Sequence, residues 1–130
     1  MAEQKLHGSR ILIVEDEYLL ADDLSETLVE AGAEVLGPIA SIEDATAFIA
    51  GEAVIDAAVL DVNLRGDMVF PVADALRARG IPFAFATGYD KWALPERFAD
   101  APRVEKPFKG FRVAVLLGSL VQPSGKVGAD

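Results

Sequence analysis

Side chains able to do chemistry follow the strand-like runs of this chain. Glu15 and Asp16 come after Ile11-Leu12-Ile13-Val14, and Asp61 comes after Ala57-Ala58-Val59-Leu60. Thr87 follows Pro82-Phe83-Ala84-Phe85-Ala86, and Lys106 follows Arg103-Val104-Glu105. If the first and third runs are neighbouring strands, Glu15, Asp16 and Asp61 share a very small space. Three like charges there raise one another's pKa and oppose folding unless a cation sits between them. Oxygen donors with no His or Cys beside them suit a hard ion, and few carboxylates with several waters suit Mg²⁺. The same set fits the passing of a phosphoryl group to Asp61. A carboxylate that attacks phosphorus needs its own charge masked and the equatorial oxygens stabilised, which a metal, a hydroxyl and an ammonium do together. In this scheme Asp61 is the nucleophile that forms an aspartyl phosphate. Glu15 and Asp16 hold Mg²⁺ directly or through water, and the carbonyl of Asn63 completes its coordination. Thr87 and Lys106 contact the phosphoryl oxygens.

The elements that must position these groups alternate in type. Residues 11–14 suit a strand buried on both faces. The stretch 18–31 places Leu20, Leu24, Leu28 and Ala31 on one stripe, the spacing of an amphipathic helix that stops at Gly32. Glu34-Val35-Leu36 reads as a short strand broken at Gly37-Pro38, and Ser41 as the cap of a helix over 42–50. After the third strand, 57–60, a loop carries Asn63, Arg65, Gly66 and Asp67. A helix over 71–79 ends at Gly80, and 82–86 is the fourth strand. The segment 89–102 holds Trp92, Leu94 and Phe98 but is interrupted by Pro95, so any helix there is short. Arg103–Glu105 is a poor fifth strand, followed by a last helix over about 108–121. Five strands alternating with helices imply an α/β, doubly wound, mostly parallel sheet whose ligand site lies beyond the carboxyl ends of the strands.

Composition narrows the function classes. The 130 residues are 52% hydrophobic, enough for one domain with a real core, and contain no cysteine, which excludes a disulfide frame and a thiolate metal site. The net charge of −9 disfavours attraction to nucleic acid or to an anionic membrane. Residues 11–64 contain thirteen acids and neither Lys nor Arg. No apolar stretch is long enough to span a membrane, and the expectation is a cytoplasmic protein. His7, the only histidine, reads as solvent-exposed, and Arg65-Gly66-Asp67 as a turn. The last helix carries apolar residues on almost every face. Some of Val113, Val115, Leu116, Leu117 and Leu120 are therefore expected either to form a contact patch, for instance for a homodimer, or to be covered by the C-terminal tail.

Taken together, Ile11-Leu12-Ile13-Val14-Glu15-Asp16, Val59-Leu60-Asp61-Val62-Asn63, Ala86-Thr87-Gly88 and Glu105-Lys106-Pro107-Phe108 resemble, in order, the four signatures of the bacterial response regulator receiver domain. The resemblance covers nearly the whole chain. It implies a flavodoxin-like five-stranded parallel sheet, and the strand order 2-1-3-4-5 comes with that fold class. It implies Asp61 as phosphoacceptor and Glu15, Asp16 and the Asn63 backbone as metal ligands. Thr87 becomes the switch hydroxyl, Lys106 the phosphate contact, and Lys106-Pro107 a cis bond. Residues 1–8 are then an N-terminal tail, 9–121 the receiver and 122–130 a flexible tail, with no room in the remaining chain for an output domain.

Phe85-Ala86-Thr87-Gly88-Tyr89 is similar to the motif of the FATGUY subgroup, stand-alone receivers partnered with kinases of the HWE or related class, in which the fourth helix is reduced or mobile. Where receivers usually carry a readout aromatic, this chain has Arg103, and Tyr89 reads as an exposed loop residue or a substitute aromatic. The implied function is acceptance of a phosphoryl group from a sensor histidine kinase or a phosphotransfer protein. Two alternatives remain open. One is a small Mg²⁺-dependent aspartyl-phosphate hydrolase, disfavoured because Asn63 stands where such enzymes need a second acid. The other is a phosphorylation-independent interaction module.

Overall fold

The computed structural model describes residues 6–51, 53–88 and 94–121. The expectations for Tyr89, Trp92 and the tail 122–130 fall outside them. In chain order the elements are β1 (Arg10–Val14), α1 (Tyr18–Glu30), β2 (Glu34–Ile39), α2 (Ile42–Ala50), β3 (Ala57–Asp61), β4 (Asn63–Leu64), β5 (Asp67–Met68), α3 (Phe70–Ala78), β6 (Phe83–Thr87), a 3₁₀ turn over Glu96–Phe98, β7 (Arg103–Glu105) and α4 (Gly110–Leu120). Five strands form one parallel sheet in the order β2-β1-β3-β6-β7. Counted by its own members this is 2-1-3-4-5, the flavodoxin-like order.

The alternation of strand side chains sorts the core into two layers, because successive residues point to opposite faces. Leu12, Val14, Ala58, Leu60, Phe83 and Phe85 pack with α2 (Ala45, Ile49) and α3 (Val72, Ala73, Leu76). Ile11, Ile13, Ala57, Val59, Ala84 and Ala86 pack with α1 (Leu24, Leu28) and α4 (Val113, Ala114, Leu117). β3 and β6 are buried along their whole length. This is why their sequences are continuous apolar runs ending in a polar residue.

Three expectations need correction. β2 does not stop at Leu36 but runs through a cis Gly37-Pro38 bond to Ile39. The extra residue is absorbed as a register shift between Leu12 and Val14 of β1. Gly37 is required there: its φ is +97°, and a Cβ would lie 2.8 Å from Ile39 N and 2.9 Å from Ile13 O. Next, the loop after β3 is a tight antiparallel hairpin in which Asn63 pairs with Met68 and Leu64 with Asp67. Third, Leu6 is not tail: it is fully buried and its N–H donates to Ala31 O at 2.9 Å. Of the apolar residues singled out on the final helix, Val113 and Leu117 are core, Leu116 and Leu120 are half-buried, and Val115, joined by Phe111, is largely exposed.

Between β6 and β7 the 3₁₀ turn is the one helical element among the described residues, and positions 89–93 fall outside them. The turn is anchored. Phe98 is fully buried and stacks on Phe70 at 5.7 Å, with edge contacts to Phe85 and Phe83 at 5.4 and 6.0 Å. Arg103, in place of the usual aromatic, donates from Nη2 to Ala99 O at 2.8 Å and so ties β7 to the exit of that turn.

Candidate functional site

Backbone pairing brings the candidate groups to one end of the sheet. The Glu15 N–H donates to Ile39 O at 3.0 Å, so the unexpected extension of β2 fixes where the first acid stands. Asp61 pairs with Ala86 across β3 and β6. Thr87 is the next residue of β6, and its carbonyl accepts the Lys106 N–H at 2.7 Å. The Lys106-Pro107 bond is cis, as the resemblance implied.

The side chains then converge. Glu15 and Asp61 are buried, 3% and 6% exposed, and each of Glu15, Asp16 and Asp61 offers a carboxylate oxygen within 4.8 Å of the others. Lys106 Nζ donates to Asp61 Oδ2 at 3.0 Å and lies 3.7 Å from Glu15 Oε1. The other Asp61 oxygen accepts the Asn63 N–H at 3.1 Å. The Asn63 side-chain Oδ1 accepts the Gly66 N–H at 2.6 Å, while the backbone carbonyl is the other oxygen this residue offers. Thr87 Oγ1 is buried with no hydrogen-bond partner. An unpaired buried hydroxyl is costly, and such a group at the mouth of an acidic cluster suits a ligand oxygen.

Crowding shows in the titration of the cluster. Burial pushes Glu15 up to about 8, helped by its side-chain hydrogen bond to Asp61 and by that residue's charge, against the Glu17 N–H and Lys106. Burial works against the charge of Lys106, but its bond to Asp61 and the charges of Asp61, Glu15 and Glu17 prevail and hold its pKa above the usual range. One ammonium thus does not satisfy three carboxylates. The all-oxygen donor set and the reluctance of Glu15 to ionise both fit a hard divalent cation.

Every site residue expected from the sequence lies at this end of the sheet. Two further participants were missed. Glu17 sits 3.6 Å from Lys106 Nζ and supplies the N–H that Glu15 Oε2 accepts at 3.0 Å. Arg65 Nε lies 3.4 Å from Asp16 Oδ2. The Leu64-Arg65-Gly66-Asp67 turn was the one signal that could have placed Arg65. Beside Lys106 a cavity of about 620 Å³ is lined by Glu17, Leu19, Leu20, Gly88, Pro107 and Phe108. A larger cleft of about 890 Å³ between β7 and α4 contains none of the clustered carboxylates.

Known proteins resemble the chain as follows. SdrG from Sphingomonas melonis Fr1 is 43% identical, the match covering 88% of this chain and 97% of that one, with a TM-score of 0.76. The BeF3-activated conformation of SdrG from Pseudomonas melonis Fr1 matches at 42% identity over 93% of this chain and 99% of that one, with a TM-score of 0.72. A response regulator receiver protein from Sinorhizobium medicae WSM419 is 25% identical over 89% of this chain and 96% of its own, with a TM-score of 0.75. The sensory transduction protein LytT of Bacillus subtilis is 35% identical over 80% of this chain but only 44% of its own length. The chain spans about half the length of the curated relatives it matches. No family model matches it. Among the described residues no helix is long and apolar enough to cross a membrane.

Proposed function

Because the chain belongs to the response regulator receiver family, we propose that it accepts a phosphoryl group on Asp61 from a phosphohistidine donor. The donor would be a sensor histidine kinase of the HWE or related class, or a phosphotransfer protein, in a two-component pathway or phosphorelay. The observation that carries this reading is the buried Asp61 carboxylate within 4.8 Å of Glu15 and Asp16 and held by Lys106. Asp61 attacks phosphorus as the bond to the donor imidazole breaks. Lys106 neutralises charge on the incoming group, and the Thr87 hydroxyl, free of any internal partner, donates to one of its oxygens. Mg²⁺ bound by Glu15, Asp16, Asp61 and the Asn63 carbonyl would mask the remaining negative charge. The BeF3-activated conformation of SdrG supports the reading, since BeF3 resembles a phosphoryl group in shape and charge.

The Phe85-Ala86-Thr87-Gly88 sequence supports membership of the FATGUY subgroup. We place the protein in the cytoplasm, where such donors act. Asn63 disfavours the hydrolase alternative, because its neutral amide stands where such enzymes need a second acid and cannot act as a base on water. Counting retained label against released phosphate separates the two. With a phosphoramidate donor and Mg²⁺, the receiver reading expects one phosphoryl group held per chain. Many phosphates released per chain in the same interval would favour the hydrolase.

A further inference from the structure

Two cations reach the clustered carboxylates among the described residues, Lys106 and Arg65. Lys106 has its role above; Arg65 has none. It sits on the tip of the β4–β5 hairpin. Leu64 pairs with Asp67, so Arg65 and Gly66 are the two central residues, and both have positive φ, 54° and 95°, as a two-residue type I′ turn requires. Glycine adopts this backbone freely, whereas arginine seldom does. The Asn63 side chain holds the turn closed through the Gly66 N–H. The result is a guanidinium whose Nε lies 3.4 Å from Asp16 Oδ2, although the side chain is 76% exposed. Glu15 and Asp61 have backbone N–H groups and Lys106 as partners. Among the described residues, Arg65 is the cation that faces Asp16.

We infer that Arg65 is a positioning residue acting through Asp16: it is the counter-cation that Asp16 faces, and it competes with a divalent cation for that carboxylate. It therefore weakens Mg²⁺ binding and sets the ion concentration at which the site fills. The inference rests on the metal site proposed above. An exposed ion pair contributes little by itself, but a fixed positive charge beside a dication repels it in proportion to the product of the charges. Because Arg65 is exposed, salt screens the effect.

Calorimetric titration of the full chain with MgCl₂ at one pH tests this, using wild type, Arg65→Gln and Arg65→Lys at low and high ionic strength. Arg65→Gln is expected to bind Mg²⁺ about three- to tenfold more tightly at low salt. Arg65→Lys is expected to stay near wild type, and the gap to close at high salt. A merely structural role for Arg65 would produce neither the lysine rescue nor the salt dependence. Wild type that binds Mg²⁺ with Arg65→Gln equal or weaker would overturn the role of Arg65 alone. No binding by any of the three chains would overturn the metal site and this inference with it.

Discussion

Glu15 is the residue at which the construction of the site and the stability of the fold conflict. Its pKa rises from 4.5 to about 8, first because it is buried and then because Asp61 stands beside it. The folded chain therefore binds this proton more tightly than the unfolded chain. The associated stability is fully present below about pH 4.5 and is lost as pH rises toward about 8. Glu15→Gln, which mimics the protonated form, is expected to raise stability in EDTA at pH 8 by roughly 1–3 kcal/mol and to flatten the thermal midpoint between pH 5 and 8. A melting series across that range checks it. Thr87 gives the opposite separation. Its hydroxyl has no partner to lose, so Thr87→Ala should leave urea-unfolding stability within about 1 kcal/mol of wild type while slowing phosphoryl uptake at least about tenfold. These residues were legible in the sequence because each closes a buried apolar run, and a parallel sheet presents all such ends on one side. Glu17 and Arg65 were not, since their places depend on the first turn of α1 and on a hairpin whose tip only backbone geometry reveals.

At the scale of elements, the alternating layers followed from the sequence wherever a strand was apolar throughout, as in β1, β3 and β6. β2 was legible only to Leu36, because Gly37-Pro38 normally ends a strand. Here an edge position and a one-residue register shift accommodate it. The last helix shows how packing divides an all-apolar sequence. Apolar residues on every face suggest a broad patch, but packing of α4 on α1 and the sheet takes Val113 and Leu117 into the core. The 3₁₀ turn is short, yet it contributes more than its length suggests. Phe98 fills the space among Phe70, Phe83 and Phe85, and two guanidiniums, Arg77 and Arg97, lie 4.8 and 4.7 Å from its ring centroid. Phe98→Ala is expected to cost about 3–5 kcal/mol in urea unfolding. A loss below about 1 kcal/mol would mean that this segment does not belong to the core.

Across the whole molecule, the uneven charge of the sequence becomes a surface. The exposed face of α1 carries Asp22, Asp23, Glu26 and Glu30, flanked by exposed Tyr18 and Leu19 beside the cavity next to Lys106. If this acidic face is the donor's docking surface, as we propose, the donor's own surface should be basic or apolar. Reversing charge at Asp22 and Asp23 together is expected to slow transfer from the donor protein about tenfold at low salt, with the effect fading as salt is added. Unchanged rates would remove α1 from the docking surface. The central claim, that Asp61 takes the phosphoryl group, is tested most directly by the intact mass of the chain after incubation with acetyl phosphate. The comparison is wild type against Asp61→Asn, each with Mg²⁺ or with EDTA. Wild type with Mg²⁺ is expected to gain one phosphoryl mass and the other three samples none. A gain that persists in Asp61→Asn, or no gain in folded wild type while a control receiver is labelled in parallel, would contradict the claim.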